Sequence, residues 1–134
     1  MSPNTAEPSH TPSQAPAYRM AAMLIGMGVT HFAAPKPFDT IVPDELPGDA
    51  RFYTYASGIA EVGVGTMLLV PKARRAGALA AALLFLSVFP ANLNMVRLWW
   101  SKSWPLRLAS IARLPLQIPM ITWALRVRRD APRP

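Results

Sequence analysis

Four apolar blocks, separated by polar segments, dominate the chain. They cover residues 18–34, 53–70, 76–100 and 108–127. An α-helix rises about 1.5 Å per residue, so about 20 residues cross the roughly 30 Å hydrocarbon core of a membrane. The third block is long enough by itself, and the second and fourth are adequate. The first is short and contains the polar Thr30 and His31. The pattern predicts an all-α protein, with four transmembrane helices in an antiparallel bundle.

The two ends of the chain are polar. Residues 1–17 are rich in Pro, Ser, Thr and Ala and lack apolar periodicity, which predicts a disordered tail. A signal peptide would need a basic start, but Glu7 and His10 lie in this stretch and only Arg19 is basic. We therefore expect an uncleaved first helix. The predicted membrane domain covers residues 18–127, and residues 128–134 form a basic cytoplasmic tail.

The basic charge follows the pattern of a membrane protein. The net charge is +7, but the basic residues cluster just beyond the apolar blocks and form no aromatic–basic face, so nucleic acid is not an expected partner. Residues 71–75 and 126–133 are the most basic segments. The positive-inside rule places both of them, and both termini, in the cytoplasm. The chain has no cysteine, which excludes disulfides and thiol redox chemistry carried by the chain itself.

The segments on the opposite side have their own character. Four prolines lie between residues 35 and 47, so this connection is not expected to be a flexible tether. Trp99, Trp100 and Trp104 mark the turn between the third and fourth blocks, where indoles favour a membrane interface.

Glu61 is the most informative single residue. It lies in the middle of block 53–70, which has no residue of opposite charge, and a charge at membrane depth costs about 2.5–3.5 kcal/mol on insertion scales. Arg113 is the other strong charge within an apolar block. We expect the two to form an ion pair. The alternative is a protonated Glu61, since burial favours the neutral carboxyl group, with Arg113 serving an anion or the lipid headgroups.

All four blocks carry polar residues in the outer half of the predicted membrane, whereas the inner half is almost entirely aliphatic. Such a convergent set predicts a shared internal site. Three interpretations stay open: a hydrogen-bond cluster that holds the bundle together, a ligand pocket or redox site, and a proton path. His31 lacks suitable partners for a metal, so no bound metal is predicted. The candidate ligand-binding residues are His31, Ser57, Glu61, Asn92, Asn94, Arg113 and Gln117.

Prolines inside the third and fourth blocks add to this picture. Pro90, Pro115 and Pro119 leave backbone carbonyls without their usual helical donors. The nearest side chains that could donate hydrogen bonds to these carbonyls are those of Asn92, Asn94 and Gln117.

Several motifs occur in a distinctive order. They are GVTHFAAPKPFDTIVP at 28–43, YASGIAE at 55–61, RRAG at 74–77, VFPANLNM at 88–95 and RLPLQ at 113–117. Over residues 18–127 this succession resembles the DoxX-like family of small bacterial integral membrane proteins. The motif residues of that family fall here on His31, Phe32, Pro35, Phe38, Ser57, Gly58, Glu61, Pro90, Asn92, Arg113, Pro115 and Gln117.

The resemblance implies a four-helix bundle in the bacterial inner membrane. Some relatives are associated with a thiosulfate:quinone oxidoreductase, and others with membrane complexes that handle oxidative and thiol stress. The expected function is therefore that of a small accessory subunit of a redox complex, with a quinone-like molecule held in the outer half of the bilayer. Thiosulfate chemistry would need a second subunit, because this chain has no cysteine. The alternatives are a non-catalytic scaffold or assembly protein and, more remotely, a carrier for a solute or lipid.

Overall fold

The computed structural model describes residues 10–134, and that part of the chain is all-helical with no strand. The predicted all-α fold is confirmed. Residues 1–9 of the predicted tail lie outside the described residues. The helices are α1 (Ala15–Ala33), α2 (Pro35–Asp39), α3 (Ala50–Leu69), α4 (Pro71–Ser87), α5 (Phe89–Trp99) and α6 (Trp104–Asp130).

The long helices alternate in direction. Ala21 of α1 lies against Gly65 of α3, and Gly28 lies against Gly58, so these two helices are antiparallel. The hydrogen bonds from Gln117 to Phe85 and from Arg128 to Arg75 show the same for α6 and α4.

The short α3–α4 connection places the basic residues of 71–75 at the same end of the bundle as those of 126–130. Only Val70 lies between the two helices, because Pro71 starts α4 at a position where its missing N–H is not needed. The predicted basic loop 71–75 is thus the first turn of α4. We call this end, which carries residues 71–75 and 126–130, the basic end.

The third apolar block was expected to form one helix, but it breaks at Val88. Pro90 occupies the first turn of α5 and cannot donate a backbone hydrogen bond. α4 and α5 nevertheless follow one another closely. Pro115 and Pro119 are accommodated within α6, which starts at Trp104 instead of at residue 108.

Glycines set the separation of α1 and α3. A methyl group at Gly28 would lie 2.8 Å from the carbonyl oxygen of Gly58, and one at Gly65 would lie 2.6 Å from Cγ1 of Ile25. Only residues without a side chain permit this approach. α1 therefore packs closely on α3.

The core near the basic end contains a buried cation. Arg74 is 1% exposed, and its Nε donates to the carbonyl of Leu68 at 2.7 Å. Its guanidinium also donates to Gln14 Oε1 at 3.0 Å and to the Tyr18 hydroxyl at 3.2 Å. The last carbonyls of a helix have no partner of their own and favour a cation, so Arg74 caps α3. The charge pattern assigned Arg74 to a basic segment between two apolar blocks and did not predict its burial.

Both predicted tails are shorter than expected. α1 begins at Ala15, and Ala17 is buried, so the helix extends into the predicted tail 1–17. At the other end α6 continues to Asp130, and Ala131 is buried.

Two of the four predicted spans are long and apolar enough to cross a membrane. These are Pro71–Trp99, formed by α4 and α5, and Trp104–Asp130, which is α6. α1 and α3, with 19 and 20 residues, are long enough but less apolar, because they carry the polar residues around His31 and Glu61.

The proline-rich connection between α1 and α3 is folded onto the bundle. The ring of Phe38 stacks on His31 with centroids 3.8 Å apart, and Thr54 Oγ1 donates to Asp39 at 2.6 Å. Asn94 Nδ2 donates to the carbonyl of Ile41 at 2.9 Å. These contacts attach the connection to α1, α3 and α5, in agreement with its expected rigidity.

Candidate functional site

A groove of about 320 Å³ lies among the long helices, and we refer to it as the groove throughout. Its volume is at the lower end of the range typical of small-molecule sites, and its walls are mainly apolar with a few polar groups, as in such sites. The groove is lined by Met23, Leu24, Met27, Glu61, Phe85, Val88, Asn92, Arg113, Leu116, Gln117 and Met120.

The groove exists because α1 and α6 contact each other mainly near the basic end. There Trp123 Nε1 donates to the carbonyl of Pro16 at 3.2 Å, and Gln14 Nε2 donates to that of Asp130 at 2.8 Å. Farther from this end α1 packs on α3, whereas α6 packs on α4 and α5. The rim residues Met27 and Leu116 are 45% and 57% exposed, so the groove opens sideways between α1 and α6.

Glu61 forms part of the groove wall on α3 and is 8% exposed. Its Oε2 lies 3.2 Å from Nδ1 of His31. The same nitrogen is only 2.7 Å from the carbonyl oxygen of Met27, which takes its proton. The approach to Glu61 is therefore a close contact without a hydrogen bond, and within residues 10–134 Oε2 has no hydrogen-bond partner.

The expected ion pair between Glu61 and Arg113 is absent. Among the described residues, the basic side chain within 4.0 Å of Glu61 is that of His31. The physical reason is the helix arrangement: α3 is packed on α1, and the groove separates it from α6. Arg113 is an exposed residue of α6 that borders the groove.

Gln117 supplies a hydrogen-bond donor near the break between α4 and α5. Its Nε2 donates to the carbonyl oxygen of Phe85 at 2.6 Å, which supports the expectation that an amide would serve a carbonyl near these prolines. The other amide atom, Oε1, is buried and has no hydrogen-bond partner in the described part of the chain. Asn92, which is 7% exposed, adds a second amide from α5 to the groove lining.

The structure divides the seven predicted site residues into three sets. Glu61, Asn92, Arg113 and Gln117 line the groove, and His31 touches Glu61 from α1. The other two residues do not line the groove. Asn94 donates to the carbonyl of Ile41 in the connection, and Ser57 is half-buried on α3.

The apolar wall is the part that sequence reasoning missed. Met23 and Met27, at helical spacing on α1, line the groove with Met120 of α6. Methionine is flexible and polarisable, and it adapts to varied apolar ligands. Phe85 of α4 completes this apolar wall. Only the tertiary arrangement distinguishes these residues from other apolar positions.

Comparisons with known proteins establish the family. The family described as a domain of unknown function, DUF8561, matches residues 20–128. The chain belongs to this family. No curated protein and no solved structure matches it.

Proposed function

We propose that the protein is a DoxX-like, multi-pass protein of the bacterial inner membrane that holds a quinone-like small molecule in the groove. It acts as an accessory component of a membrane redox system. The observation that carries this proposal is the groove itself, where apolar walls enclose a buried carboxylate and two buried amides and the opening faces sideways.

The outward faces of the two most apolar helices support membrane insertion. Only 33% of the most apolar window of Pro71–Trp99 is buried inside the protein, and only 17% of that of Trp104–Asp130. These faces expose Leu79, Leu83, Leu86, Leu93, Leu108, Ile111, Ile118 and Leu125. Hydrocarbon would cover such a surface, and a ligand dissolved in the bilayer could enter the groove directly.

The basic end supports an orientation with both termini in the cytoplasm, which sets the groove in the outer half of the bilayer. A reporter fused after Pro134 is expected to be active on the cytoplasmic side. An active periplasmic reporter at that position would contradict this orientation.

The ligand proposal is tested with two tryptophan substitutions on α6. Leu116→Trp places an indole at the rim of the groove, whereas Ile118→Trp places one on a surface that is 68% exposed and does not line the groove. Each protein is purified in mild detergent and its bound small molecules are identified by mass spectrometry. The wild type and Ile118→Trp should retain a quinone-like compound, and Leu116→Trp should lose it. The proposal fails if the wild type carries none, or if both variants retain it equally.

A scaffold is the second candidate function, and one set of contacts favours it. The hydrogen bonds from Gln117 to Phe85 and from Asn94 to Ile41 hold the bundle and its connection together. A scaffold should co-purify with a protein partner and without a small molecule. Glu61→Gln should then leave oxidative-stress tolerance unchanged in cells that produce the variant at normal levels.

A further inference from the structure

Two buried oxygen atoms of the groove accept no hydrogen bond from any residue that the structure describes. They are Oε2 of Glu61 and Oε1 of Gln117, from side chains that are 8% and 9% exposed. Both residues line the groove. The neighbouring donors are already used: Nδ1 of His31 donates to the carbonyl of Met27, and the amide nitrogen of Gln117 donates to the carbonyl of Phe85.

Buried acceptors without donors are rare in proteins, and each one requires an explanation. An occupant of the groove that carries O–H or N–H groups would supply the missing donors. A para-quinone cannot supply a donor, because both of its carbonyl oxygens are acceptors only. It could still accept from Arg113 or Asn92, which also border the groove. Gln117 Oε1 would stay unpaired with a quinone, and so would Oε2 of an ionised Glu61. The hydroxyl groups of the corresponding quinol both donate and accept.

We propose that the groove selects a hydroxyl-bearing aromatic, so that it binds the reduced quinol in preference to the quinone. This inference rests on the proposed function and concerns binding alone, with no electron transfer assigned to the chain. Since a site can shift an equilibrium only by its differential affinity for the two states, a quinol-selective groove makes the bound quinone easier to reduce than the free quinone.

The test uses three probes with the same alkylated ring: a hydroquinone, its para-quinone, and the dimethyl ether of the hydroquinone. Affinities for the full-length protein in mild detergent are measured by calorimetry without oxygen. The ether retains the electron-rich ring but cannot donate a hydrogen bond. The hydroquinone should bind at least about tenfold more tightly than either of the other probes, which corresponds to about 1.4 kcal/mol.

Glu61→Gln supplies the matched variant, because its amide can itself donate to a quinone carbonyl. The preference for the hydroquinone over the quinone should shrink in this variant. Glu45→Gln is the control, since Glu45 lies in the connection between α1 and α3 and pairs with Arg97 instead of lining the groove. Its preference should equal that of the wild type. Thermal unfolding of each variant checks that it is folded. If Glu61→Gln does not fold, the affinities of the three probes for the wild type test the proposal by themselves.

The outcomes separate the two levels of the proposal. Equal binding of all three probes, or tighter binding of the quinone or ether, overturns the quinol preference but leaves a small-molecule groove. An unchanged preference in a folded Glu61→Gln protein overturns the role of Glu61 in selecting the quinol. If none of the probes binds to the wild type, both the preference and the quinone-like ligand are wrong.

Discussion

Replacing Gly28 by alanine should separate α1 from α3 and thereby disturb the groove. The added methyl group would lie 2.7 Å from Cγ2 of Val62 and 2.8 Å from the carbonyl oxygen of Gly58. Ordinary contacts start at 3.4 Å, so relief of the backbone contact alone requires a shift of about 0.6 Å, the difference between 3.4 and 2.8. Backbone atoms cannot rotate away as a side chain can, so the whole helix must move.

The magnitude follows from two opposing effects. Alanine is favoured over glycine in a helix by about 1 kcal/mol, whereas overpacking typically costs 1–3 kcal/mol and occasionally more. Gly26→Ala is the matched control, because a methyl group there meets nothing within 4 Å. We therefore expect Gly26→Ala to be neutral or stabilising and Gly28→Ala to be less stable than Gly26→Ala by about 2 kcal/mol.

Thermal unfolding in mild detergent, followed by circular dichroism, measures this difference as a shift of several degrees in Tm. Gly28→Ala should also weaken binding of the hydroquinone probe, because moving α1 displaces Met23 and Met27 from the groove wall. Equal Tm values for the two variants would refute the close α1–α3 packing on which the position of Glu61 depends.

Two further predictions concern the ends of the bundle. Arg74→Lys keeps the positive charge but loses the guanidinium group whose N–H donors cap α3. It should lower the free energy of unfolding by about 1–3 kcal/mol in the same assay. Arg129→Lys, on the exposed surface, is the control and should leave that free energy unchanged. At the other end, the hydrogen bond from Thr54, with a contribution from Arg51, lowers the pKa of Asp39 below its ordinary value of 3.8. The stabilisation that Asp39 provides should therefore be present above about pH 4 and lost as the pH falls through its lowered pKa. Thr54→Val should raise that pKa, which a carbon-13 NMR titration measures, and an unchanged titration would show that Thr54 does not control Asp39.

The sequence alone determined the helical class and the approximate positions of the long helices. Apolar blocks of helix-forming length require backbone hydrogen bonds to be made within each segment, and no β-type alternation competes with them. The same pattern located the polar residues in one half of the bundle, including Glu61, Asn92 and Gln117, which the structure brings to the groove. It also indicated that the proline-rich connection would be held in place.

The tertiary structure alone decided which residues meet. Two isolated opposite charges suggested a pair between Glu61 and Arg113, but the glycines at positions 28, 58 and 65 dock α1 on α3 and bring His31 to Glu61 instead. The charge pattern assigned Arg74 to a basic segment between two apolar blocks, whereas the junction at Val70 turns it into the core to cap α3. Periodicity states which side of a helix is apolar or polar. It does not state which neighbouring helix that side contacts, since that choice depends on how closely two backbones can approach.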